Sequence, residues 1–203
     1  MNIKHYAIHP LQCQHLLQAA TICAQAMADN PIHIKVFGTE RQLRERRLAR
    51  LFPALLHYVQ RKGSLYGTFV DDELIGVLGM LPPHSCQPAL LDLCRLLPRL
   101  LTASHPFGLL RLAIWLGTWA KIDPAAAHWH LGPLAIAPAW QHKGAGTQMI
   151  EFAFSQCLDA SLYLETDKKS NVELYQRFGF NTVATPTILG VTSWVMMASP
   201  QSR

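Results

Sequence analysis

The sequence predicts a mixed α/β fold in which a mostly antiparallel sheet is flanked by helices. Apolar residues recur at helical spacing between Pro10 and Lys62, two β-type runs bracket a polar Asp71-Asp72-Glu73 turn, and a strand passes through a glycine turn into a helix between Leu134 and Cys157. With 203 residues, 50% of them hydrophobic, the chain can bury a core without disulfides or metals, and residues 1–203 read as a single domain.

Ile3 to Ile8 is expected as a short first strand. Pro10 then opens a helical run through Leu16, Leu17, Ala20, Cys23, Ala24 and Met27, which Asp29-Asn30-Pro31 ends. A second helix is expected from Thr39 as N-cap to Arg61-Lys62, whose charges suit the carboxyl end of a helix dipole, with Gly63 beyond. Ser64 to Val70 and Leu74 to Leu81 form the hairpin, and Gly76 and Gly79 mark a bulge in its second strand.

Pro88 to Lys121 reads as two or three helices broken at Pro98 and at His105-Pro106. Their apolar faces are wider than one stripe, which suits a pocket wall or a homodimer contact. His128 to Ile136 is the next strand, and the helix after the glycine turn runs from about Gly144 to Cys157. A strand at Leu162 to Glu165, a helix through Val172, Leu174, Tyr175 and Phe178 ended at Gly179, and a hairpin of Phe180 to Ala184 with Ile188 to Met197 complete the chain.

The formal charge of +5 fits an acidic ligand, but no Lys/Arg run is interleaved with aromatics, so no nucleic-acid partner is expected. Cys13, Cys23, Cys86, Cys94 and Cys157 form no C-x-x-C pair and no disulfide framework, which fits a reducing cytoplasm and gives no metal site. His5, His9, His33, His57, His84 and His105 have no ligand spacing and are expected on surfaces or loops. Trp115 and Trp119 are expected in the core or a pocket wall, and Asp71 to Glu73 as a solvated turn. Charged residues or prolines interrupt every hydrophobic stretch, so neither a signal peptide nor a membrane span is expected.

The most informative run is Leu134-Ala135-Ile136-Ala137-Pro138-Ala139-Trp140-Gln141-His142-Lys143-Gly144-Ala145-Gly146. The first N–H groups of a helix are unpaired, glycines let an anion approach them, and the helix dipole adds partial positive charge. Lys143 adds a full one. The spacing is neither that of a Walker loop nor that of a dinucleotide fingerprint. Gln141, Gly144 and Gly146 resemble the Q/R-x-x-G-x-G/A signature of the GCN5-related N-acetyltransferase (GNAT) superfamily.

Three further pieces carry the resemblance in the same order. They are the strand ending at Ile136, the Leu162-Tyr163-Leu164-Glu165-Thr166 strand, and Asn171-x-x-x-Tyr175-x-x-Phe178-Gly179-Phe180. His128 to Ala135, as His-Trp-x-Leu-Gly-Pro-Leu-Ala, is most similar to the puromycin N-acetyltransferase branch. His142 departs from the commoner Gly or Arg, and Pro88 to Lys121 matches the branch only as a helical insertion. The resemblance implies a GNAT fold with that insertion before the fourth strand and a sheet splayed between strands four and five.

It also implies acetyl-CoA as cofactor, held by Leu134, Ala135, Ile136, Gln141, His142, Lys143, Gly144, Ala145, Gly146, Thr147 and Asn171, and a small-molecule primary amine as acceptor. The implied chemistry is direct attack of the amine on the thioester. Tyr175, a phenol protonated at neutral pH, is the candidate general acid and cofactor contact, or else an ordinary half-buried aromatic. Asn171 is a cofactor contact or a helix N-cap. His130 is the candidate base or a structural histidine; strand alternation puts it on one face with His128, Gly132, Leu134 and Ile136. Glu165 is the other candidate base or ammonium anchor. Acetylation of a protein N-terminus or lysine, and CoA binding without catalysis, are the alternative functions.

Overall fold

The computed structural model describes residues 6–157 and 159–200. Seven strands form one sheet in the order β1-β2-β3-β4-β5-β9-β6: β1 Ala7–Pro10, β2 Ser64–Val70, β3 Glu73–Leu81, β4 His128–Ile136, β5 Ser161–Thr166, β6 Asn181–Ala184 and β9 Trp194–Ala198. Every neighbouring pair is antiparallel except β4 and β5, which run parallel. The short strands β7 Thr187–Ile188 and β8 Val191–Thr192 make a separate hairpin.

Of the expected first strand, Ile3 to His5 lie outside the described residues. Pro10 belongs to β1 and does not open a helix; at a sheet edge its missing N–H leaves no ladder bond unmade. After a 3-10 turn at Cys13–His15, α1 Leu16–Met27 buries Ala19, Ala20, Ile22, Cys23 and Ala24.

Pro31 opens a helix that sequence reading did not find, α2 Pro31–Phe37, because proline at a first helical position gives up no hydrogen bond. The Asp167 carboxylate, reaching from beyond β5, accepts from Ile32 N at 2.5 Å and caps this helix from 135 residues away. His33 is buried on α2, with its Nδ1 2.7 Å from Met27 O and its ring against Trp115, so it is not the surface histidine expected. The next helix, α3 Arg41–Lys62, is capped by Glu40 in place of Thr39, the Glu40 carboxylate accepting from Gln42 N and Leu43 N.

The insertion forms two helices, α4 Leu90–Ala103 and α5 Pro106–Ile122. Pro98 does not break α4: the carbonyl it strands, on Cys94, lies on an exposed stretch where water can satisfy it. Trp115 and Trp119 are half-buried against the core, as expected. After β4 come α6 Ala145–Gln156 and α7 Lys169–Gln176. The last expected strand is divided because Leu189 and Gly190 take φ of 54° and 79°, turning the chain between β7 and β8.

Helices α1 to α3 share one core with Leu65, Val77, Leu81 and Ala135 of the sheet. Helices α6 and α7 share the other with Ile75, Leu78, Met80, Leu131, Ile136, Leu162 and Leu164. Alternation divides neighbours such as Val77 and Leu78 or Met80 and Leu81 between the two layers, and the register shift opposite Thr68 and Phe69 lets Ile75 and Val77, two apart, face opposite ones. Gly79 lies at a register shift between β3 and β4, where a Cβ would stand 2.4 Å from Gly132 O, so only glycine admits this backbone approach.

Candidate active site

The parallel ladder of β4 and β5 holds three register pairs, His128 with Ser161, Trp129 with Leu162 and His130 with Tyr163. Beyond them β4 continues to Ile136 beside β3 alone, and β5 continues to Thr166 beside β9 alone. The strands therefore part, leaving backbone groups of Leu131 to Ile136 and of Leu164 to Thr166 facing a wedge-shaped cleft. Each such N–H and C=O must find another partner.

The parting has a local cause in β4. Leu78 pairs with Leu134 and Met80 with Leu131, so three residues of β4 span two of β3. The extra residue reverses the alternation at Gly132-Pro133. Leu131, Leu134 and Ile136 consequently face the α6 layer, while the rings of His128 and His130 lie against Tyr163 on the other face. The single shared face expected for His128, His130, Leu134 and Ile136 does not form, because strict alternation fails across a bulge.

The glycine turn lies at the open end of β4. A 3-10 turn at Pro138–Trp140 leads to Gln141, whose Nε2 donates to Ile136 O at 3.0 Å and folds the loop back onto the strand end. His142 and Gly144 adopt φ of 59° and 92°, and the Tyr6 hydroxyl donates to Lys143 O at 2.6 Å. Lys143 Nζ stands 5.2 Å from the Trp140 ring centroid, which restrains it while leaving its charge available. Gly144 is the N-cap of α6 and supplies no side-chain acceptor to the amides of Ala145, Gly146 and Thr147.

The cradle has room. A Cβ on Gly144 would meet nothing within 4 Å, and one on Gly146 only Ile136 Cγ1 at 3.8 Å. Among the described residues no side chain caps these amides and the glycines are open, and amides at a helix N-terminus beside a lysine are what a diphosphate needs, so these residues fit the phosphate end of coenzyme A.

On the α1-to-α3 face, His130 Nε2 and Glu165 Oε2 are 2.9 Å apart, with side chains 21% and 15% exposed. Burial alone would lower the His130 pKa, but the Glu165 carboxylate, helped by the Cys86 thiol, raises it to about 10. Burial would raise Glu165, and the adjacent imidazolium instead holds it below its ordinary value. The pair is thus ionised at neutral pH, and His130 lacks the free imidazole near neutrality that its residue type led one to expect. Burial and then the Glu165 charge push the Tyr163 phenol up.

Tyr175 lies on α7 in the opposite layer, 5.7 Å from Phe180 between ring centroids, and burial raises its pKa to about 12. No hydrogen bond reaches its hydroxyl among the described residues. Asn171 is the third residue of α7, with Lys168 as the N-cap, and its Nδ2 donates to Thr166 Oγ1 at 3.2 Å at the end of β5. The structure therefore sets Leu134, Ile136, Gln141 to Thr147, Asn171 and Tyr175 on the α6 and α7 side, and Ala135, His130 and Glu165 on the other.

Sequence reading missed Tyr163 and Asp167 as parts of this region, and a second polar cluster of Cys86, Asp123 and His128 beside it. A signal did exist for two of these residues: His128 and His130, like Tyr163 and Glu165, are two apart on a strand and so share a face.

The fold is similar to solved structures that span the same length. A histone acetyltransferase HPA2 and related acetyltransferase from Corynebacterium glutamicum aligns over 98% of both chains at 18% identity and a TM-score of 0.74. The ribosomal-protein-S18-alanine N-acetyltransferase from Escherichia coli aligns over 98% of this chain and 97% of its own at 14% identity and 0.56. An aminoglycoside 6′-N-acetyltransferase complexed with coenzyme A aligns over 97% and 98% at 12% identity and 0.56. At such identities the likeness carries the fold. No curated protein matches the sequence. Residues 33–180 match the model of the Acetyltransferase (GNAT) family, and the chain belongs to that family.

Proposed function

We propose that residues 1–203 form one acyltransferase domain that moves an acetyl group from acetyl-CoA to a primary amine of a small molecule within a ternary complex. The observation that carries this reading is the β4 and β5 ladder ending at His130 and Tyr163, with the uncapped amides of α6 at the mouth of the cleft and the His130–Glu165 pair on its other face. When bound, acetyl-CoA supplies an acyl thioester already activated for transfer. The chain then needs no nucleophile of its own.

The amides of Gln141 to Thr147 hold the diphosphate, with the Lys143 charge beside them. The unpaired backbone of Leu134, Ala135 and Ile136 takes the pantetheine arm and offers the donor for the carbonyl oxygen. Asn171 contacts the same arm. Tyr175, kept protonated by its raised pKa, donates to the departing sulfur. Glu165, ionised beside His130, anchors the acceptor amine, which attacks in its neutral form, and His130 at 2.9 Å is the positioning residue that aims the carboxylate.

The acceptor carries an apolar part, because half-buried Trp115 and Trp119 and the buried Ile188 and Val191 of the β7–β8 hairpin line the same layer as His130 and Glu165. A homodimer through exposed Leu97, Leu101, Phe107 and Leu110 of α4 and α5 completes the proposal, and sedimentation velocity reads it.

The test is thiol release from acetyl-CoA against a panel of amines. Tyr175→Phe is expected to lose about 10²-fold in kcat with coenzyme A binding intact. Unchanged turnover removes Tyr175 from the chemistry. Binding without turnover of any amine supports a non-catalytic CoA module, and new acetylated proteins in cells making the chain support a protein acceptor.

A further inference from the structure

Cys86, Asp123 and His128 come from three different segments: the loop between β3 and α4, the C-cap of α5, and the first residue of β4. Folding brings His128 Nε2 to 3.2 Å from Asp123 Oδ1 and 3.8 Å from Cys86 Sγ, and all three atoms lie within 4.8 Å of one another. Acetyl transfer as described above gives Asp123 and His128 no role, and Cys86 only its effect on His130.

The arrangement is not a nucleophilic relay. A relay needs the carboxylate on one ring nitrogen and the thiol on the other. Here both approach Nε2, while Nδ1 stands 2.8 Å from Ala126 O. With Nδ1 against that carbonyl, Nε2 is the ring nitrogen turned toward Asp123 and Cys86. A backbone carbonyl on the far nitrogen is how metal-ligating histidines are oriented. Asp123 Oδ1 is sealed from water and accepts no hydrogen bond from the described residues, so this buried oxygen beside His128 Nε2 is left without a partner that an ion would supply.

The spacing suits one ion in particular. A tetrahedral zinc with bonds of about 2.0–2.1 Å to nitrogen and oxygen and about 2.3 Å to sulfur sets its ligand atoms about 3.3–3.6 Å apart. The two separations that involve His128, 3.2 and 3.8 Å, agree to a few tenths of an ångström, and the Cys86–Asp123 separation lies within 4.8 Å. A thiolate, an imidazole and a carboxylate are a borderline-soft donor set that favours Zn²⁺ over Mg²⁺ or Ca²⁺. We propose that Cys86, Asp123 and His128 form a three-ligand Zn²⁺ site.

Such an ion ties both ends of the α4–α5 insertion to β4, since Cys86 precedes α4 and Asp123 ends α5. His130 follows His128 by two residues on the same face, so the clasp fixes the wall beside the His130–Glu165 pair.

The test uses the full chain without coenzyme A, equilibrated with Zn²⁺ and titrated with a chromogenic chelator. One zinc per chain is expected, held at least about 100-fold more weakly by Cys86→Ser and by His128→Ala. Exposed Cys94→Ser is the control and is expected to bind as the wild type does. Loading with Co²⁺ should give a sulfur-to-metal charge-transfer band that Cys86→Ser abolishes, and Zn²⁺ should raise the thermal midpoint of wild type but not of Cys86→Ser. Circular dichroism confirms that each variant is folded. No zinc in the wild type, or equal zinc in wild type and Cys86→Ser, overturns the proposal.

Discussion

Gly79→Ala tests whether the close approach of β3 to β4 is what shapes the cleft. The added methyl would stand 2.4 Å from Gly132 O, 2.9 Å from Gly132 C and 3.1 Å from Pro133 Cδ. A carbon-to-oxygen contact is ordinarily about 3.3 Å or longer, so something must yield by about 0.9 Å. The nearest atoms are backbone, at the bulge where β4 leaves β5, and no rotamer change relieves them. Overpacking of this kind costs about 1–3 kcal/mol, and the backbone setting points to the upper half. For a chain of this length that is a fall in Tm of about 5–10 °C.

Urea and thermal unfolding followed by circular dichroism measure the loss. Because the bulge also sets where the strands part, acetyl-CoA binding should weaken as well. Gly117→Ala on α5 is the opposing control. Its Cβ meets nothing within 4 Å in a helix interior, so stability should rise by about 0.5–1 kcal/mol. Stability of Gly79→Ala within about 0.5 kcal/mol of wild type would refute the steric reasoning.

Asp167→Ala removes the cap on α2 and leaves the buried Ile32 N–H without its acceptor; a loss of about 0.5–2 kcal/mol is expected, with faster amide exchange in α2 than in α3. Asp92 is buried on α4 against α3, and its ion pairs with Lys62 at 2.9 Å and with Arg61 hold its carboxyl below the ordinary carboxylate range. A depressed folded pKa contributes stability above the unfolded value of about 3.9 that disappears as pH falls through the folded value. The Tm advantage of wild type over Asp92→Asn should therefore be present at pH 7 and vanish in acid, and an advantage that persists at pH 2 would contradict the ion-pair account. Tyr175, with a pKa of about 12, should give no alkaline limb in kcat below pH 11.

How far the sequence reaches is visible element by element. The β2–β3 hairpin and the strand, glycine turn and helix of β4 and α6 are written locally, in alternation, turn residues and helix signals, and both form where expected. Helix α2 is only seven residues long and takes its cap from Asp167, so its local signal, Asn30-Pro31, serves equally well as the end of α1. The face of His130 depends on a bulge defined by pairing with β3, and alternation within β4 alone gives the wrong neighbours. Its ionisation depends on Glu165, 35 positions along the chain, so residue type alone gave the wrong protonation state. The cluster of Cys86, Asp123 and His128 is assembled from separate segments, which ligand-spacing rules do not detect.

The central claim is that the amides opening α6 bind a diphosphate, and Gly146→Asp tests it most directly. A carboxylate in the first turn favours the helix dipole, so the fold should be at least as stable, while its charge opposes an anion in the cradle. Titration calorimetry with coenzyme A should show wild-type binding that weakens by about tenfold or more in Gly146→Asp, with an undiminished Tm. Equal affinity in the two proteins, or no heat from the wild type, would contradict the account.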